Sequence, residues 1–391
     1  MNLEYVLRDC PVCGRSNRDP FFCETVTPFI EGKQVPVSVS VTVCDDCGLV
    51  YNDRAPSAAS LKHVYRFLFR TPVGRSERHK KKNRSQIGFL APHLAASGAL
   101  ALDVGSALDP FAAQLREMGH EAYELEPSKE LVEKCAQGDP RVINAAIEDF
   151  DSPLRFDLIA LREVFEHLSD PLAALDVVSR HLAPRGLAYI DVPDLARAHP
   201  CGAESYFNFL HLWHFTETSL ANLVAKAGFA VVARRTDPVY ESIRLLLQKD
   251  PGAARACFTP DGRARELIAD YFALESRELA LARGQLTELL SRGGKLVLWG
   301  AGFRTEALLR RCIPDLAGRV DCLIDSDRAK QGTDFCGKRI QPPAYCLTTD
   351  SPVVISSSPS SEEAIEKAML DMGVAPGRIV KMFEHRVRRI A

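Results

Sequence analysis

"FDLIALREVFEHLSDPLAAL", residues 156–175, is the stretch that decides the fold. Its first half is a short apolar run of strand character, and it continues into a helical pattern. The same alternation surrounds it. Upstream, "ALALDVG" (99–105), "EAYELEP" (121–127) and "RVINAAIEDF" (141–150) read as strands, with "FAAQLREMG" (111–119) and "SKELVEKCAQ" (128–137) as helices between them. Downstream, "GLAYIDVPD" (186–194) is a fifth strand. A series of βα units demands a parallel sheet with helices on both faces, and such sheets bind ligands at the carboxyl ends of their strands.

A chain of 391 residues exceeds a single hydrophobic core and calls for two or three domains. With 26% charged residues and a net charge of −2, it has neither the basic excess of a nucleic-acid binder nor that of a membrane-surface protein. The N-terminal "MNLEYVLRDC" lacks the features of a secretory signal, and no apolar run reaches membrane-helix length. A cytoplasmic protein is expected. A second strand–glycine turn–helix pattern, "LVLWGAGFRTEALLRRC" (296–312), follows a long helix read over 262–292 and is followed by strands in "VDCLIDSD" and "SPVVISSS". These mark a smaller C-terminal α/β domain.

Of 12 cysteines, four are paired as "CPVC" and "CDDC": Cys10, Cys13, Cys44 and Cys47. Two knuckles supplying four thiolates form the closed tetrahedral set of structural Zn²⁺, with no open position for catalysis. The 30 residues between the pairs imply an inserted β-hairpin, and the "VPVSVSVTV" strand leads into the second knuckle. Cys23 is read as a spare thiol. Seven Lys or Arg between positions 70 and 84 form either a solvated helix face or a basic edge for phosphate groups.

Acidic residues close successive strands of the middle domain. Glu126 ends the second strand, where it can accept hydrogen bonds from a ribose. Glu148 and Asp149 follow the third, within reach of an adenine amino group. No phosphate cradle accompanies them, which suits an uncharged nucleoside with a cationic tail.

In order and spacing, "ALDVGSALDPFAAQL", "ELEPS", "IEDF", "FDLIALREVFEHLSDPLAAL" and "LAPRGLAYIDVP" resemble a class I S-adenosylmethionine methyltransferase, a Rossmann-like doubly wound sheet. The resemblance implies that Asp103 and Gly105 border the methionine part of the cofactor and that Arg162, closing the fourth strand, lies among the cofactor contacts. The chain departs from the pattern where Ala107 and Asp109 replace glycines. Ala107 is compatible if its backbone angles are ordinary. Asp109 is costly at a positive φ, or else faces the cofactor's ammonium.

Taken whole, a zinc-ribbon-like module (1–70), a methyltransferase domain (71–248) and a helical linker with a smaller Rossmann-like domain (249–391) resemble the nucleotide-sugar C-methyltransferases of deoxysugar pathways. That resemblance implies a nucleoside-diphosphate 4-keto sugar as substrate, with no nucleic-acid or membrane partner. A base removes the proton next to the ketone, and the enolate attacks the sulfonium methyl. In "HLWHFTETSL" (211–220), His214 aligns with the family's basic histidine, while His211 and Trp213 stand where the family has tyrosine and glutamate. His211 would assist, and His167 in "EVFEHL" is a second base. A metal role for His211 and His214 lacks a third ligand nearby in sequence. Tyr65, Arg66 and Arg75 are the expected substrate contacts. Methylation of an oxygen or nitrogen on a sugar or related metabolite is the alternative, as is a binding protein that kept the fold without catalysis. An NAD site at "GAGFRT" (300–305) is disfavoured, because the third glycine of that fingerprint is missing.

Overall fold

A computed structural model describes residues 3–68, 77–136, 138–199, 206–237, 239–255, 257–291, 293–357 and 359–382. The chain forms two compact units. The first comprises residues 1–23, 39–197 and 209–267, and the second comprises 24–38, 198–208 and 268–391. The cysteine knuckles and the middle sheet therefore share one unit, and Cys10, Cys44 and Cys47 lie in the same apolar cluster as Leu102, Ile159 and Ile190. Among the described residues no helix is long and apolar enough to cross a membrane.

The first unit is organised by a seven-stranded sheet. Its strands are β1 (Leu100–Val104), β2 (Glu121–Leu125), β3 (Val142–Ile143), β4 (Phe156–Arg162), β5 (Leu182–Pro193), β6 (Phe229–Asp237) and β7 (Ser242–Lys249). They are ordered β3-β2-β1-β4-β5-β7-β6. The first five are parallel, as expected. β7 runs antiparallel to β5 and pairs with β6 in a hairpin, so the sheet is mixed where the sequence suggested a purely parallel one. Helices α1 (Glu77–Leu90), α2 (Phe111–Glu117), α3 (Lys129–Cys135), α4 (Pro171–His181) and α5 (Glu217–Lys226) accompany the strands.

The stretch 156–175 does not pass directly from strand to helix. Glu163, directly after β4, takes φ +55°, and a 3₁₀ turn spans Phe165–His167. α4 starts only at Pro171, where Asp170 caps the helix by accepting the Ala173 N–H at 3.0 Å. This interruption lifts Glu166 and His167 out of a regular helix and holds them at the carboxyl end of β4. The HLWH segment likewise contributes a short strand, Trp213–His214, which pairs with Val50–Asn52 just past the second cysteine knuckle.

α1 carries much of the basic run, and its inner face is polar. Arg162 at the end of β4 donates to both oxygens of Asp103 (3.0 and 2.9 Å), to Asp109 (3.0 Å), and to Asn83 and Gln86 of α1 (3.2 and 3.1 Å). Gln86 in turn donates to Asp191 at 2.8 Å, which also accepts Arg244 Nε at 2.9 Å. Arg244 pairs with Asp237 at 3.0 Å and donates to Ser85 of α1 at 2.9 Å. Lys82, read as part of a solvated or phosphate-facing run, is buried and paired with Glu163 instead. Lys81 and Arg84 on the other side of the helix are exposed.

The second unit has strands β8 (Leu296–Trp299), β9 (Val320–Ile324), β10 (Asp334–Phe335), β11 (Lys338–Gln341), β12 (Val353–Ile355) and β13 (Ile379–Lys381). They are ordered β10-β11-β9-β8-β12-β13, all parallel except the edge strand β10. The long helix read over 262–292 spans Ala264–Ser291. The hairpin expected between the cysteine pairs is Phe29–Ile30 against Lys33–Gln34, and its segment belongs to this unit. Thr27 there donates its N–H and hydroxyl to the buried carboxylate of Glu306 at 3.0 and 2.6 Å.

Arg244 is fully buried, so Arg244→Met leaves Asp191 and Asp237 without their cation. It is expected to destabilise the protein by about 3–5 kcal/mol. Arg234→Met, which breaks the exposed pair with Glu217, is expected to shift stability by less than about 1 kcal/mol. Urea unfolding midpoints distinguish the two.

Candidate active site and cysteine centre

The turn after β1 is the first element of the site. Gly105 takes φ +63°, and a Cβ on it would lie 2.5 Å from Val164 Cγ2, so only glycine allows the post-β1 turn to pass this close to the post-β4 turn. The N–H groups of Gly105 and Ser106 donate to Leu125 O at 2.7 and 3.2 Å, tying the turn to the end of β2. The left-handed residues are then Ala107 (φ +46°) and Leu108 (φ +52°). This corrects both expectations for the turn. Ala107 does not have ordinary angles, and Asp109 is not left-handed. Asp109 Oδ1 accepts the Phe111 N–H at 2.8 Å and Arg162 Nη2 at 3.0 Å. Asp103 is likewise engaged by Arg162, whose guanidinium stacks 3.9 Å over the Phe111 ring. Asp103, Asp109 and Arg162 thus answer to one another and brace the turn from behind.

Glu126 closes β2. Its two oxygens accept backbone N–H groups from Ala107 (2.9 Å) and Ser128 (2.8 Å). Burial raises its pKa, and those two donors oppose the rise. Each oxygen keeps a second acceptor site, the capacity that a vicinal diol requires. Glu148 and Asp149 are exposed in the 3₁₀ turn after β3, with Asp149 paired to Lys62. Gly105, Glu126 and the 148–149 turn therefore sit at successive strand ends and fit a nucleoside-bearing cofactor.

The second element is a histidine cluster. His167 Nδ1 lies 2.9 Å from Leu210 O, and Leu212 N–H donates to Glu166 O at 2.8 Å. Trp213 Nε1 donates to Leu168 O at 2.7 Å. These bonds lace residues 210–213 to the turn after β4. The His167 and His211 rings are 4.8 Å apart, with Tyr65 edge-on to His167 at 6.2 Å. His167 Nε2 stands 3.8 Å from Glu166 Oε1. Burial raises the Glu166 carboxyl well above the usual range and lowers His167, whose contact with Leu210 O opposes the shift.

His214 lies deeper than His167. It is 1% exposed, in strand pairing with Val50, and its Nε2 is 3.5 Å from Asn52 Oδ1. Burial, with His211 adding, lowers its pKa well below the ordinary value. His167, whose side chain is 20% exposed, carries the accessible imidazole. Glu166 adds a buried carboxylate to His167 and His211, an association that could not be read from residues 44 or more apart in the chain. Arg66 lies on a helix (Ala58–Leu68), but its side chain, like Arg75 altogether, lies outside the described residues.

The four knuckle cysteines bring their Sγ atoms within 4.8 Å of one another, with Cys10–Cys47 and Cys13–Cys44 both at 3.3 Å. A Zn–S bond of about 2.3 Å sets tetrahedral sulfurs roughly 3.8 Å apart, so the set fits such an ion. Each knuckle closes alike: Gly14 N–H donates to Cys10 O and Gly48 N–H to Cys44 O. Gly48 (φ +77°) is pressed so closely by Asp261 that a Cβ would lie 2.3 Å from its carbonyl oxygen.

Residues 75–234 match the family model described as a methyltransferase domain. Curated relatives include the ubiquinone biosynthesis O-methyltransferase of Xylella fastidiosa (strain M23), 26% identical over 207 residues, or 46% of this chain and 81% of that protein. The Xanthomonas campestris pv. campestris (strain B100) protein of the same name is 27% identical over 153 residues, covering 33% of this chain and 63% of that protein. Among solved structures, the 1,6-didemethyltoxoflavin-N1-methyltransferase of Burkholderia thailandensis is 19% identical. It covers 55% of this chain and 96% of its own, with a TM-score of 0.42. Magnesium protoporphyrin IX methyltransferase of Synechocystis PCC 6803 is 14% identical over 44% of this chain and 80% of its own, with a TM-score of 0.35. The fold is that of a class I methyltransferase. The chain is an S-adenosylmethionine-dependent methyltransferase.

A left-handed Ala or Leu costs about 1–2 kcal/mol that glycine does not incur. Ala107→Gly is therefore expected to raise stability by up to about 1 kcal/mol, net of its greater unfolded-state entropy, while S-adenosylmethionine affinity changes little. Thermal unfolding with and without cofactor checks both.

Proposed function

We propose that the enzyme transfers a methyl group to a carbon next to a ketone in a nucleotide-linked sugar, with proton removal at the His167–His211 cluster. The observation that carries this reading is the buried carboxyl–imidazole pair of Glu166 and His167, one turn from the point where Val164 contacts Gly105. S-adenosylmethionine, when bound, supplies an electrophilic methyl on a sulfonium. Glu126 would hold the ribose diol, with its orientation set by the Ala107 and Ser128 N–H groups. His167 would take the acceptor proton on Nε2, because its Nδ1 faces the Leu210 carbonyl and so carries the other hydrogen. Loss of that proton would leave the acceptor carbon nucleophilic toward the methyl of the bound cofactor. Tyr65, beside His167, is suited to orient the acceptor. His214 would support His211 from behind without touching substrate. The Cys10, Cys13, Cys44 and Cys47 set would hold a structural Zn²⁺ that braces Val50–Asn52, and through it Trp213–His214.

A second reading, methylation of a hydroxyl oxygen, is favoured by the names of the curated relatives, and the same cluster would deprotonate that acceptor. Reaction with ¹³C-methyl-labelled S-adenosylmethionine and nucleoside-diphosphate 4-keto sugars or dihydroxylated aromatics separates the two. Carbon–methyl signals on the sugar support the first; oxygen–methyl signals on the aromatic overturn it.

His167→Gln is expected to lower kcat by about 10²–10⁴-fold with S-adenosylhomocysteine affinity unchanged, whereas Glu126→Ala weakens that affinity by about tenfold or more. Steady-state rates and calorimetric titration measure each. Cys44→Ser is expected to remove one zinc per chain and lower the unfolding midpoint, read by metal analysis and thermal melting.

A further inference from the structure

Glu166, His167 and His211 offer three ligand atoms, two imidazole nitrogens and a carboxylate oxygen, all within 4.8 Å of one another. Glu166 is 2% exposed, and its Oε2 has no hydrogen-bond partner. An unpartnered carboxylate oxygen at that depth costs free energy that a hydrogen bond or a cation must offset. Its nearby cation, Lys82, is committed to Glu163. The imidazole of His167 is already set for ligation. Leu210 O, 2.9 Å from Nδ1, fixes the tautomer and leaves the Nε2 lone pair pointing into the group. A backbone carbonyl behind a histidine is the usual outer support of a metal ligand.

We propose that Glu166, His167 and His211 form a second metal site, separate from the four cysteines, for a divalent ion of the Mn²⁺–Fe²⁺–Co²⁺–Zn²⁺ group. Two imidazoles with one carboxylate select these ions over Mg²⁺ or Ca²⁺, which prefer all-oxygen sets. Bonds of about 2.1 Å place ligand atoms roughly 3–3.5 Å apart, so side-chain rotations of about an ångström close the present spacing onto an ion. The backbone is already positioned, since the Leu212–Glu166 and Trp213–Leu168 hydrogen bonds hold the two contributing segments together. Three protein ligands leave coordination positions open, as catalytic sites do and the closed cysteine set does not. The exposed edge of His167 puts those positions where an acceptor oxygen can reach them. Any part of the ion in methyl transfer rests on the acceptor named above but replaces its base: His167 Nε2 would ligate the ion in place of taking a proton, and the ion would acidify the bound acceptor. The ion's binding does not rest on it.

The test titrates the full-length, zinc-replete protein with Mn²⁺ alone and follows free Mn²⁺ by electron paramagnetic resonance. Mn²⁺ competes poorly for thiolates, so the cysteine set stays silent. One bound Mn²⁺ per chain is expected. Glu166→Gln and His211→Gln should each weaken binding by about tenfold or more while thermal melting shows an intact fold. His120→Gln, remote from the group, should bind as the unaltered chain does. Absence of binding at millimolar Mn²⁺, or folded E166Q and H211Q proteins that bind undiminished, would overturn the site. Because the probe is the bare ion, a wrong acceptor assignment leaves the titration unchanged.

Discussion

The Arg162–Gln86–Asp191–Arg244 chain of hydrogen bonds is the constraint on which the first unit depends. Asp103, Arg162 and Asp191 stand near the carboxyl ends of three adjacent parallel strands, where the register pairs Arg162 with Asp191 and sets Asp103 beside Ala160. Two carboxylates and a guanidinium at the rim of a sheet would each lose hydration, and only a mutual arrangement keeps that loss tolerable. α1 completes the arrangement from above with Asn83, Ser85 and Gln86. The helix is thus attached to the sheet by polar bonds as well as by the apolar packing of Ile87, Phe89 and Leu90.

The cofactor turn shows what the arrangement makes possible. A glycine-rich loop would adopt the required angles at little cost; here Ala107 and Leu108 are held left-handed by outside bonds. Glu126 accepts the Ala107 N–H, Ser106 Oγ accepts the Leu108 N–H at 3.2 Å, and Asp109 is anchored to Arg162. The loop gives up conformational freedom and gains rigidity, with the Glu126 carboxylate locked to the same backbone that shapes the turn.

Much of the sheet was legible because the strand and helix periods alternate cleanly between residues 99 and 194. The β6–β7 hairpin was not, since a connection with no Asn-Gly or Gly-Gly signal does not announce itself. In the site, Gly105 and Glu126 were readable from their places at strand ends. The paired state of Asp103 and Asp109 was not, because it depends on Arg162, more than 50 residues away in sequence. The burial of His214 depends in the same way on pairing with Val50. Resemblance named the histidines but could not tell which of them solvent reaches. The cysteine spacing predicted a thiol cluster because two short knuckles are local motifs that need only be brought face to face.

The segment 24–38 has a consequence for how the protein is made. It emerges from the ribosome early, between two cysteine pairs whose partners are also early. Thr27 nevertheless finds Glu306 only 279 residues later, and Phe29 packs on Phe335, 5.4 Å between ring centres. During synthesis this hairpin must wait for Glu306 and Phe335, which emerge much later. The last third of the chain therefore folds onto a template laid down at the start. Translation speed across residues 268–335 then decides how long the apolar Phe29–Ile30 strand stands open to neighbouring nascent chains.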